Sequence, residues 1–352
     1  MFLYLSAALF FLVALQLSTT VKKSPEEGHN AFLVSRIQSS EPPTLAERLQ
    51  ESLAMRDIKT LQSLLDEAGI WRQIEGNLQS LQNSEVSLAR DFENRYNLLL
   101  YYLQDDLKEF FGKCRILWDV ENLKLLLSYI IDGKSRRDII RIVGPFGYLD
   151  PEAIGSLAGA NDPEELIANA SRLLPFEYSS RLALEKWSST IDLELALDFA
   201  AFSFLQRASE DIGTQRAKLA WKMHENLYEI QNILTISRLK LSKTASEKIG
   251  PLLFPVWMRL EKSEYTNLLE AEDHSSFLRA LGSTYYGKWL LEGVDHAKTL
   301  EDCLQKTMRV SGFMETEPEM EKIIRFVTEL EIHYETIREA AFLASVKAVD
   351  EE

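Results

Sequence analysis

One ten-residue element recurs along this chain, and its spacing limits the fold more than any other feature. Residues 119–128 read DVENLKLLLS and residues 229–238 read EIQNILTISR. In both, an acidic residue is followed three positions later by asparagine and then by an aliphatic residue. Asp119, Asn122 and Leu123 thus match Glu229, Asn232 and Ile233 at an offset of 110. Downstream, LDPEAIGSLAGAND (149–162) lies against LEKSEYTNLLEAED (260–273) at an offset of 111, with Leu149, Leu157 and Asp162 matching Leu260, Leu268 and Asp273. A third copy, EGHNAFLVSR (27–36), keeps Glu27, Asn30, Ser35 and Arg36 against Glu229, Asn232, Ser237 and Arg238, and LAERLQESLAMRD (45–57) follows it. A fainter copy, HYETIREAAF (333–342), has Thr336 in place of the asparagine. Common helical solenoids repeat every 34 to 47 residues or so, and a period near 110 is too long for them.

The copies are helical. Only 15 glycines and 10 prolines punctuate 352 residues, which favours long helices over strands joined by tight turns. No stretch alternates with period two for long enough to force a strand, so the chain reads as all-α. Thr44 and Glu47 form a capping box after Pro42-Pro43, and residues 57–68 continue that helical stripe. A long polar helix is expected from about 72 to 113, and residues 119–132 form an amphipathic helix ending at Gly133. Ser135 caps a short helix broken at Gly144-Pro145. Asp150-Pro151 and Asp162-Pro163 start two more, since proline suits a first helical turn. Residues 189–238 read as two long helices interrupted afterwards by Pro251 and Pro255, and 262–349 as helical with turns near Gly282, Gly293 and Gly312 to Pro318.

An acidic residue and an asparagine at i and i+3 share a helix face. The repeated amide could satisfy backbone groups of a neighbouring helix, or it could cap a helix or face water; the residues alone leave both open. In either case the repeat describes architecture and does not constitute an active site.

The net charge of −15 disfavours nucleic-acid binding, because an acidic chain repels phosphate backbones. Catalytic constellations are missing from the sequence. GSTYYGKW (282–289) approaches a P-loop, but Trp289 stands where the metal-binding hydroxyl belongs and no strand precedes it. His29, His224, His274, His296 and His333 are scattered and read as surface or packing histidines, without partners at ligand spacing. Cys114 and Cys303 read as two ordinary thiols, although a count of two also allows one disulfide. Asp105-Asp106 reads as solvated. Tyr101, Tyr102, Phe110 and Phe111 read as core, and Trp257 and Phe146 as packing residues at equivalent turns. No cofactor, metal or small-molecule substrate is implied.

Residues Met1 to Val21 carry no charged side chain, and Lys22 and Lys23 follow. A cleaved signal peptide would want a basic segment before the apolar run. A membrane anchor needs about 20 apolar residues, and with the lysines only on the C-terminal side the following chain would stay in the cytoplasm. An over-extended start site is the third reading.

WDVENLKLLLSYIIDGKSRRDI, followed by a short turn and YLDPEAI, resembles the C subunit family of archaeal and bacterial V/A-type ATPases, whose eukaryotic counterpart is the d subunit of the vacuolar ATPase. The family pattern is Asp-x-x-Asn-Leu-(Lys/Arg), an aliphatic helix, a glycine, and a Leu-Ser/Asp-x-Glu-x-Leu helix start. Asp119, Asn122, Leu123, Lys124, Gly133, Leu149 and Glu152 match it, as do Asn232, Ile233 and Arg238 in the second occurrence. AFLVSRIQ resembles the family's opening, so the likeness covers roughly residues 28 to 345. It implies three similar helical domains around a pseudo-threefold axis, forming a funnel. The narrow end would sit on the proteolipid rotor ring, and the cavity would receive the central shaft. The chain would then be a non-catalytic rotor subunit on the cytoplasmic face of a membrane complex, coupling ATP turnover to proton or sodium transport. The corresponding division is a leader (1–23), a first helical repeat with the long helix (24–115), a second repeat (116–225), and a third repeat with the degenerate copy (226–352). Two departures stand out: Thr336 in the last copy, and the apolar leader, which has no place in a peripheral stalk subunit. The competing expectation is a generic α-helical scaffold or adaptor, membrane-tethered or exported.

Overall fold

A computed structural model describes residues 89–133 (apart from 91 and 95), 147–183, 190–289 and 300. The leader, the copies around Asn30 and Thr336, the Thr44 capping box, Ser135, Phe146, Cys303, and His29, His296 and His333 lie outside the described residues. Among those described, every regular element is a helix and no strand occurs.

Helix α1 (Asp105–Cys114) buries Leu107, Phe110, Phe111 and Cys114, a single stripe at helical spacing. Asp105 and Asp106 lie in its first turn and Lys113 in the last, which suits the helix dipole. The single long helix expected over 72–113 is therefore broken. Leu103 and Gln104 leave the helix, with Gln104 extended (φ −66°, ψ 154°). Tyr101 also departs from its expected core position and is 72% exposed, whereas Phe110 and Phe111 are fully buried. Asp106 is not solvated either: it accepts from the Leu107 amide and lies 3.9 Å from Arg216.

Helix α2 (Ile116–Ile131) carries the first Asp-x-x-Asn element and turns off at Gly133, in the left-handed region at φ 63°. Helices α3 (Pro151–Leu157) and α4 (Pro163–Leu173) begin at the two Asp-Pro steps. Asp150 accepts from the Ala153 amide and Asp162 from the Glu165 amide, each at 2.7 Å, so the carboxylates satisfy amides that a helix start leaves open. Helix α5 (Phe176–Leu182) follows, then two long helices, α6 (Thr190–Ile212) and α7 (Gln215–Leu241). The chain continues through α8 (Ser246–Ile249), α9 (Lys262–Glu270) and α10 (His274–Gly282). Asp273 caps α10 by accepting from Ser276 at 2.7 Å, the role Asp162 plays 111 residues earlier.

Helix α6 packs against α1, α2, α5 and α7, and α7 packs in turn against α1 and α10. Leu219, Trp221, Met223 and Tyr228 of α7 belong to one apolar cluster, while Ile230, Ile233 and Ile236 belong to a second that includes Leu260, Leu268, Phe277 and Leu281. At 27 residues α7 is about 40 Å long, and it is buried from more than one side because it serves two cores in succession.

The offsets seen in the sequence line up burial as well as residue type. Trp118, Val120, Leu123 and Leu126 are buried in α2, as are Tyr228, Ile230, Ile233 and Ile236 in α7. Leu149, Ile154, Leu157, Leu166 and Ala170 are buried, and so are Leu260, Tyr265, Leu268, Phe277 and Leu281. Even the helix ends match. Where α2 ends on Gly133, α7 ends on Lys243, also left-handed at φ 57°. The Lys243 amide bonds the Lys240 carbonyl and the Thr244 amide bonds the Leu239 carbonyl, the paired bonds of a Schellman turn.

A side chain at positive φ costs roughly 1–2 kcal/mol, partly offset by the lower chain entropy of any residue other than glycine in the unfolded state. Lys243→Gly is therefore expected to stabilise the fold by about 0.5–1 kcal/mol, and Gly133→Ala to destabilise it by a similar amount. Urea denaturation followed by far-ultraviolet circular dichroism measures both; a stability loss for Lys243→Gly contradicts the argument.

Candidate functional site

The acidic residues of the repeated element are buried, and both hold backbone. Asp119 is fully buried on α2. Its two carboxylate oxygens accept from the amides of Tyr148 (2.7 Å) and Leu149 (3.0 Å), the residues leading into α3. Glu229, fully buried on α7, accepts from the amides of Met258 (2.8 Å), Arg259 (2.9 Å) and Leu260 (3.2 Å), which lead into α9. The Tyr286 hydroxyl donates a fourth bond to it at 2.6 Å. Donors converging on both oxygens satisfy these acidic groups in an interior that offers little water.

The asparagine works beside it. Asn232 donates from its amide nitrogen to the Phe254 carbonyl (2.9 Å) and accepts from the Phe254 amide (2.8 Å). One side chain thereby satisfies both backbone groups of a buried residue. Asn232 caps no helix and does not face water, and the backbone it serves belongs to the segment after α8. Asn122 is buried at the matching place on α2. Lys124 bonds Asp198 of α6 at 2.6 Å and Glu121 at 2.8 Å. Burial alone would lower its pKa, but the two carboxylates outweigh burial and raise it; burial in turn raises Asp198 against the pull of Lys124. Arg238 is exposed near the end of α7. Glu27, Asn30 and Arg36 lie outside the described residues.

Several participants had no sequence signal of their own. A Cβ on Gly147 would overlap the Asp119 carboxylate, so the absence of a side chain there lets the segment approach. Tyr286 reaches Glu229 across 57 positions of chain. Cys114 forms no disulfide, and its sulfur lies 3.5 Å from Nε2 of His224. The Nδ1 of that ring meets the Ala220 carbonyl at 2.9 Å and so carries the proton, leaving Nε2 to accept from the thiol. Both side chains are buried, so this nucleophile–base pair has no substrate access. His274 bonds Ser237 Oγ at 2.9 Å and stacks on Phe277. Trp257, expected to pack, is half exposed with its ring edge-on to Tyr265.

Beside the Asp119 clamp lies an open cavity of about 350 Å³ lined by Arg90, Glu93, Asn94, Arg115, Gly147, Tyr148, Asp150 and Pro151. Arg115 and Glu93 pair across it at 3.0 Å. Among the described residues no group of three or more His, Cys, Asp or Glu side chains could hold a metal ion. The arrangement is a bracing system: charge and amide are committed to joining loops to helices.

A family model described as ATP synthase (C/AC39) subunit matches residues 33–317. The chain belongs to that family. Curated relatives, each named as the C subunit of an A-type ATP synthase, include those of Methanothermobacter thermautotrophicus (24% identical, over 64% of this chain and 61% of the relative), Methanosphaera stadtmanae (24%, over 58% and 53%) and Pyrococcus abyssi (25%, over 73% and 69%). The match thus spans somewhat under two thirds of the first two relatives. Asp119, Asn122, Glu229 and Asn232 fall inside the segment that the C/AC39 family model covers.

The clamps can be tested by removing one bond at a time. Asn232→Leu leaves the Phe254 N–H and C=O buried without their partner, at a cost of about 2–4 kcal/mol in urea unfolding; a cost near zero would show that the amide is dispensable. The acidic clamp makes stability depend on pH. Burial pushes Asp119 from 3.8 up to about 7, outweighing the Tyr148 and Leu149 amides and nearby Arg115. The native carboxyl thus keeps its proton where the unfolded chain has lost it, so its contribution favours folding below about pH 4 and fades as pH rises to 7. His224, held below its usual 6.5 by burial, acts in the opposite sense, and its contribution is lost as pH falls below that value. Asp119→Asn removes the first effect only. Its stability should rise more steeply than that of the wild type from about pH 4.5 to 7, and equal slopes would contradict the assignment.

Proposed function

We propose that this chain is a non-catalytic central-stalk subunit of a V/A-type ion-translocating ATPase. It seats the central shaft on the membrane rotor ring and transmits torque between ATP turnover and proton or sodium movement. The family match over residues 33–317 carries the proposal, with relatives that are themselves named subunits of A-type ATP synthases. The internal bracing supports it. A part that passes torque must resist shear between its helices, and the clamps of Asp119, Glu229 and Asn232 each tie a loop to a helix with more than one bond.

In this reading the chain divides into a leader (1–23) and three helical units (24–115, 116–225 and 226–352) set around a pseudo-threefold axis as a funnel. The matched burial at offsets of 110 and 111 supports equivalence of the second and third units. The partners are the proteolipid ring below and the shaft within, on the cytoplasmic face of the membrane. No helix among the described residues is long and apolar enough to cross a membrane, which agrees with a peripheral position for that part of the chain.

The test is affinity purification of the tagged full chain from detergent-solubilised membranes. The expected result is recovery of the catalytic ATPase subunits and the proteolipid ring in fixed proportion. Recovery of the chain without them rejects the proposal.

A further inference from the structure

The left-handed lysine at the end of α7 is an unfavourable choice at a position where the matching residue of α2 is glycine. Lys243 (φ 57°) and Gly133 (φ 63°) close the two helices in the same way. Each helix leaves an aliphatic residue half exposed just before the turn, Leu241 and Ile131, each 49% exposed. A residue kept in a strained backbone region points to a role for its side chain.

The surroundings suggest what that role is. Residues 238–249 carry Arg238, Lys240, Lys243 and Lys248 against the single acid Glu247, in a chain whose net charge is −15. Lys240 is buried and donates to Ser246 Oγ at 2.8 Å, which fixes the turn. Arg238, Lys243 and Lys248 are exposed. Beyond Ile131 the sequence is again basic, with Lys134, Arg136, Arg137 and Arg141 against Asp132 and Asp138.

We infer that the turn after α7, with Leu241 and Lys243 at its tip, is a docking point for an acidic protein surface that carries an apolar recess. This rests on the reading of the chain as a stalk subunit and specifies the chemistry of one partner face. Charge complementarity selects an acidic partner. The fixed geometry selects protein over anionic lipid. A lipid surface asks only for positive charge, which a lysine at any relaxed position supplies, whereas here two backbone bonds fix the turn itself, so that Lys243 is presented from one rigid backbone together with the half-exposed Leu241.

The experiment is incorporation of full-length wild type, Lys243→Gly and Leu241→Asn into the detergent-solubilised ATPase complex, at low and high salt. Lys243→Gly relieves backbone strain, so a binding defect in it does not arise from misfolding; a thermal melt of each variant confirms this. Both variants should bind about fivefold more weakly at low salt. For Lys243→Gly the difference should vanish near 1 M salt, where the screening length falls to about 3 Å. Equal binding of all three proteins overturns the inference while leaving the stalk assignment intact. Failure of the wild type to bind rejects the stalk assignment itself. If Lys243→Gly shows the same loss on phosphatidylserine vesicles with no protein partner present, the turn is a lipid contact and the inference is overturned.

Discussion

The oxygens of a fully buried acidic side chain must be met by donors, and those of Glu229 are met by four groups. Three successive backbone amides and one phenol converge on it from segments 29 to 57 residues away. The burial of Tyr286, followed by the charge of Glu229, raises the phenol's pKa, so it remains a donor. The path of the chain from α8 into α9 is therefore dictated by a side chain on α7. Asp119 dictates the entry into α3 with fewer bonds, two amides and no phenol. Both cores are closed by the same device, a buried acidic side chain on a helix that holds the backbone leading into a later one.

Much of this was legible in the sequence, because the features concerned are local. The two Asp-Pro steps declare helix starts by their own chemistry, and Gly133 declares a helix end. The equivalence of Asp119 with Glu229, and of Asn122 with Asn232, could be read from order and spacing. What the pair does could not. Whether Asn232 served a helix, a cap or water depended on Phe254, twenty-two residues on and within a stretch without regular pattern. The break at Gln104 was hidden because no glycine or proline marks it; Asp105 and Asp106 were visible as charges but not as the first turn of a new helix. Tyr101 misled for a related reason, since an aromatic run does not say which face of its helix is covered.

The thiol–imidazole contact between Cys114 and His224 illustrates the difference between chemistry and access. The residues and tautomer suit nucleophilic catalysis, yet the pair lies edge-on to Phe110 inside the interior. Its contribution is to satisfy two polar atoms where α1 meets α7. The ion pair of Lys124 with Asp198 does the same between α2 and α6. Polar groups thus mark these two helix crossings.

Helix α7 contributes to two cores in turn, and that makes its length a matter of phase. A helix advances about 100° per residue, so one inserted residue between Tyr228 and Ile230 would swing the whole second face away from the loops it holds. Insertions are harmless only outside such a shaft. The offset between the two units is 110 along α2 and α7 and becomes 111 from Leu149 and Leu260 onward. The extra residue falls between Lys243 and Leu260, beyond the end of α7, so the phase of the shaft itself is kept.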